Sequence, residues 1–139
     1  MTNTHLLWPI IAQVILIAIV WLIMGRRRLQ GLKKGVIKLP MYSVMKLDNV
    51  PDYYIVAARN FDNLMQLPLL FILSLLIAMQ FELTNPLILI LASAYVFLRY
   101  VHSFIHITSN NIRYRFYSYI FSCLALWSIW LTLSIQLLF

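Results

Sequence analysis

Apolar residues run almost unbroken through four stretches of this chain, and polar residues collect between them. The stretches cover about residues 6–24, 53–81, 86–108 and 116–139. Each is long enough to cross roughly 30 Å of hydrocarbon as a helix, which takes about 20 residues. A transmembrane barrel would need short strands of alternating polarity, and these continuous runs do not fit one. The pattern predicts an all-α membrane protein, a four-helix antiparallel bundle forming a single domain over residues 1–139. The longest connection, 25–52, carries Gly31, Gly35, Pro40 and Pro51, which argue against one continuous helix there.

Composition supports this reading. With 63% of residues hydrophobic and 11% charged, a water-soluble domain could not cover its own surface. A net charge of +7 would suggest nucleic acid in a soluble protein, but its placement argues against that partner and for membrane lipids. Arg26, Arg27, Arg28, Lys33, Lys34, Lys38 and Lys46 lie between the first two runs, and Arg113 and Arg115 between the last two. The turn from Glu82 to Asn85 and both chain ends carry no Lys or Arg. Under the positive-inside rule, both basic connections are cytoplasmic and both termini are not. No basic residue precedes the first run and no Ala-x-Ala closes it, so it is expected to remain as a helix rather than be cleaved. The short, tail-less ends point to a bacterial inner membrane. Cys123, alone in the fourth run, cannot form an internal disulfide and reads as inert packing.

The polar exceptions inside the runs carry the chemistry. The second run contains Arg59, Asp62, Asn63 and Gln66 at i, i+3, i+4 and i+7, one helical face, followed by Pro68. Counted from Asp52, these groups lie about 10 to 21 Å into the membrane, where unpaired polar groups are costly and mark functional sites. Pro68 frees a carbonyl near Leu64 and is expected to kink the helix. The third run answers with Arg99, His102, His106 and Asn110, again a single stripe, at about the same depth. Two polar faces at one depth imply a shared pocket or interface.

Asp62 is the one acid at that depth, so one reading is a buried Asp62–Arg pair that sets helix register. The other is an anion pocket, because Arg59 plus Arg99 exceed the single acid and favour a carboxylate-bearing ligand. Cations of the 25–52 loop either face lipid headgroups or roof such a pocket. His102 and His106, four apart with no acid or thiol beside them, suit helix–helix hydrogen bonds better than a metal or haem. Tyr53, Tyr54, Tyr114, Tyr117 and Tyr119 read as an interfacial belt, whereas the hydroxyl of Tyr100 must find a partner at mid-leaflet depth. Ser118 and Ser122 form a small-xxx-small pair suited to close packing or self-association.

These residues resemble the MAPEG family, the membrane-associated proteins in eicosanoid and glutathione metabolism. The likeness spans nearly the whole chain and rests on four helices, a long basic first loop and the Arg59, Asn63, Gln66, Pro68 spacing. It also rests on the segment Leu98–Ser103, and on Arg113 and Arg115 at the start of the fourth helix. The resemblance implies a homotrimer binding glutathione between subunits in the cytoplasmic leaflet. It also implies transferase or peroxidase chemistry on hydrophobic small-molecule substrates. On this pattern Arg59, Asn63, Gln66, Arg99 and His102 hold the ligand, Arg115 or Arg113 activates the thiol, and Tyr100 assists. The chain departs from the family pattern at Gln66, where an acid is expected, and at Phe104, where a second tyrosine is expected. Those departures motivate the alternative of a non-catalytic lipid-binding or scaffold protein on the same fold.

Overall fold

The computed structural model describes residues 3–43, 47, 49–83 and 85–138. Lys46 of the basic loop and Phe139 at the end of the fourth run lie outside the described residues. After a 3₁₀ turn at Asn3–Leu6 come α1 (Leu7–Lys33), the short α2 (Leu39–Ser43), α3 (Asp52–Leu64), α4 (Leu67–Gln80), α5 (Pro86–Ile107) and α6 (Ile112–Leu138). Four spans, with α3 and α4 together making the second, are long and apolar enough to cross a membrane. Large apolar side chains such as Trp8, Trp21, Phe97, Phe121 and Trp127 cover the outside. That surface suits hydrocarbon and would aggregate in water. The protein is thus a multi-pass integral membrane bundle in contact with lipid.

Three boundaries differ from the sequence reading, and the simplest is the fourth helix, which starts at Ile112 rather than 116 and so carries Arg113 and Arg115 on helix. The first helix does not stop at residue 24 but continues to Lys33, so Arg26, Arg27, Arg28 and Lys33 sit on helix rather than loop. Arginine and lysine are good helix formers, and a single interior glycine costs only about 1 kcal/mol. Gly31 is instead required by packing: the chain folds back so that Val36 and Ile37 both donate to its carbonyl. A Cβ there would collide with Ile37 Cδ1 and meet Tyr54 Cδ1 at 3.2 Å. Gly31→Leu should therefore destabilise by about 1–3 kcal/mol, read as a lowered thermal midpoint in detergent.

The second span breaks where Pro68 requires it. Proline has no N–H to give Leu64, so α3 ends there and α4 begins at Leu67 with Pro68 in its first turn. Gln66 sits at the junction with φ −105° and ψ −102°, away from helical geometry. The apolar core lies beyond the break. Phe71 stacks on Tyr95 with ring centroids 4.2 Å apart, and Leu126, Ile129 and Leu133 of α6 close around them. Leu16, Val20 and Leu64 form a smaller cluster nearer the basic end. The α5–α6 pair is the most extensive contact, with Ser118 and Ser122 buried in it. Both hydroxyls donate to carbonyls of their own helix, those of Arg115 and Tyr119, and the Ser118 oxygen also lies 3.5 Å from His102 Nδ1 across the contact.

Candidate functional site

Two asparagines build the corner from which the site hangs. Asn110 adopts φ 50° where α5 ends, a conformation asparagine tolerates better than most residues. Its neighbour Asn111 caps α6, accepting from the backbone N–H groups of Arg113 and Tyr114. The Asn110 side chain is then free to accept from Arg115 Nη1 at 2.6 Å, and the same nitrogen lies 3.4 Å from His106 Nε2. Arg115 is thus aimed by two partners. Its own carbonyl lies 3.0 Å from His102 Nδ1, which assigns the proton to that nitrogen.

Facing this corner, α3 presents Arg59 and Asn63 one turn apart. A pocket of about 270 Å³ lies between, lined by Arg59, Asn63, His102, His106, Ile112, Arg115, Phe116 and Tyr119. Two guanidiniums and an amide enter it with no carboxylate in the lining, and Ile112 and Phe116 supply an apolar side. Such a cleft suits an anionic ligand carrying an apolar group.

Of the residues singled out in the sequence, Arg59, Asn63, His102 and Arg115 share this pocket. Arg99 stands directly behind it, fully buried, donating Nη2 to the side-chain oxygen of Asn63 and, at 3.5 Å, to its carbonyl. The helix break makes that carbonyl accessible. Arg113 and Gln66 point to the outer surface and do not line the pocket. Asp62 is also exposed and makes no ion pair among the described residues, so the buried Asp–Arg reading does not hold. Tyr100 faces the other way, with its hydroxyl donating to the Ala12 carbonyl of α1 at 2.8 Å. Tyr100→Phe should cost only about 0.5–1.5 kcal/mol and leave ligand affinity at the pocket unchanged, checked by unfolding and titration on one preparation.

Sequence reasoning gave no individual site role to Tyr119, Arg27 or Asn60. Tyr119, one of the tyrosines expected in the interfacial belt, follows Arg115 by one turn, and its ring centroid lies 5.8 Å from the Arg99 guanidinium. Arg27 is a clamp: it donates to the carbonyls of Tyr53 at 3.0 Å and Ile107 at 3.1 Å, joining α1, α3 and α5. Its guanidinium also lies over the Tyr53 ring at 4.3 Å. Asn60 is fully buried and accepts from Ser103 at 3.3 Å.

Fold and pocket together define a four-span membrane protein with a cationic cleft near its basic end. The chain matches the model of the MAPEG family over residues 6–135 and belongs to that family. No curated protein and no solved structure matches it.

Proposed function

We propose that the protein is a glutathione-dependent transferase or peroxidase acting on hydrophobic electrophiles. In this reading it works as a homotrimer with its sites between subunits in the cytoplasmic leaflet of a bacterial inner membrane. The observation that carries the reading is the pocket in which Arg59, Asn63 and Arg115 face one another without a carboxylate. Membership of the MAPEG family, whose name refers to glutathione metabolism, supports the ligand. The concentration of Lys and Arg at the pocket end supports the orientation.

The donor set fits the ligand's two carboxylates. Arg59 and Asn63 supply directional donors for them, and guanidinium offers the planar fork that carboxylates prefer. Arg115, held by Asn110 and His106, places positive charge where the thiol would lie. A fixed cation there favours thiolate, whose conjugate acid ordinarily has a pKa of about 8.5. Bound glutathione supplies the sulfur that attacks the electrophile and displaces its leaving group. Ile112 and Phe116 flank the pocket and give an apolar electrophile a surface to lie against.

Isothermal titration of the detergent-solubilised protein with glutathione tests this, and an absence of binding at millimolar ligand would sink it. A second reading, a lipid-binding or scaffold protein, draws on the pocket's lack of an acid for the ligand ammonium and on the exposed Gln66. It also draws on two apolar grooves of about 710 and 320 Å³ that meet at Tyr100. Turnover of a generic electrophile that disappears in Arg115→Ala would refute this second reading.

A further inference from the structure

Behind the pocket wall the bundle holds a positive charge that no described acid neutralises. Arg99 is 0% exposed and lies about 12 Å inward from the end of α5. Its Nη2 is engaged by Asn63, while Nε and Nη1 have no hydrogen-bond partner. A guanidinium does not escape this by losing its proton. Asp52, Asp62 and Glu82 are all exposed, and none pairs with Arg99. A carboxylate from a second subunit cannot reach a side chain with no exposed surface. A ligand in the polar pocket is also held off, because Asn63, His102 and Tyr119 line that pocket and Arg99 does not.

Other unpaired polar groups are buried in the same bundle. The Asn60 amide nitrogen, the Tyr95 hydroxyl and both polar atoms of Gln13 are buried without partners, and all three residues are 0% exposed. Asn60 is tied to Ser103, one turn from Arg99 on α5, and Tyr95 is one turn away on the other side. Gln13 adjoins Ala12, whose carbonyl is held by Tyr100, the residue next to Arg99. Along α5 these groups are strung over two turns, the Ser103–Asn60 pair toward its end and Tyr95 toward its start, with Arg99 and its free Nε and Nη1 between them. Each unpaired buried group is costly, and a charged one most of all.

We propose that the free Nε and Nη1 of Arg99 form an internal site for a small monovalent anion, chloride in the cell. Water could satisfy the N–H groups but would leave the charge uncompensated. An anion does both, and a monatomic one needs little room in a closed interior. Its occupancy would also set the charge behind Asn63, linking halide to the shape of the pocket wall.

The test uses the whole protein in detergent. Crystals soaked in bromide should show an anomalous peak beside Arg99, and a map without that peak, or with only water there, overturns the proposal. In solution, replacing gluconate by chloride at constant ionic strength should raise the thermal midpoint by several degrees. That rise should vanish in Arg99→Met and persist in Arg115→Gln, which removes a cation from the pocket instead. The reverse pattern would assign the halide effect to the pocket and refute the internal site. Should Arg99→Met fail to fold, the bromide map of the unaltered protein decides alone.

Discussion

Arg115→Ala should lower kcat/KM for glutathione-dependent turnover by on the order of 10²–10³-fold, the range seen when one preorganised donor to developing charge is removed. The size of the effect follows from how the side chain is held. Asn110 at 2.6 Å and His106 at 3.4 Å fix the guanidinium before any ligand arrives, so no reorganisation is needed to meet a thiolate. Arg115→Lys should recover little, because lysine lacks the planar fork that leaves further N–H groups for the pocket while Nη1 engages both partners. Arg115 and Asn110 are half-buried while His106 is buried and loses a partner, so folding stability should fall by about 1–2 kcal/mol. The discriminating readout is the ultraviolet absorbance of bound thiolate, which should fall in the alanine variant. An unchanged absorbance with unchanged turnover would remove Arg115 from the chemistry, whatever the affinity does.

Periodicity made part of the pocket legible, although Asp62 and Arg99, counted onto the same faces, lie outside its lining. His102 and His106 are one turn apart on α5, Arg59 and Asn63 one turn apart on α3, and all four line the pocket as their spacing implies. Gln66 fails for a reason written only two residues later. Counting it onto the same face assumes a continuous helix, but Pro68 ends α3 at Leu64 and turns the next residues outward. Arg99 and Tyr100 are adjacent in sequence, so about 100° separates them on the helix, and they serve different faces of α5. The three arginines after Gly25 read correctly as charge at one end of the bundle. That Arg27 holds the Ile107 carbonyl could not be read, because the contact spans 80 residues and no local pattern encodes it. Gln13 does carry a sequence signal, a lone amide in a run otherwise built for hydrocarbon.

Asn63 joins the fold to the site, and its replacement should affect both. In Asn63→Leu, Arg99 loses the side-chain acceptor that engages it, at the point where the second span is already broken. Stranding a buried guanidinium should cost about 3 kcal/mol or more, well above the few tenths expected for the same change on a lipid-facing surface. The pocket also loses a directional donor, so glutathione affinity should fall along with stability. Asn63→Asp separates the two roles. The introduced carboxylate pairs with Arg99 and should keep stability near that of the unaltered protein, but it places negative charge in the wall and should weaken an anionic ligand by more than tenfold. With a counter-charge supplied by the chain itself, the dependence of the thermal midpoint on chloride should disappear as well. Thermal scans in chloride and gluconate beside glutathione titrations would measure all three effects. If Asn63→Leu were as stable as the unaltered protein, Arg99 would not depend on Asn63, and the link between the helix break and the pocket would fail with it.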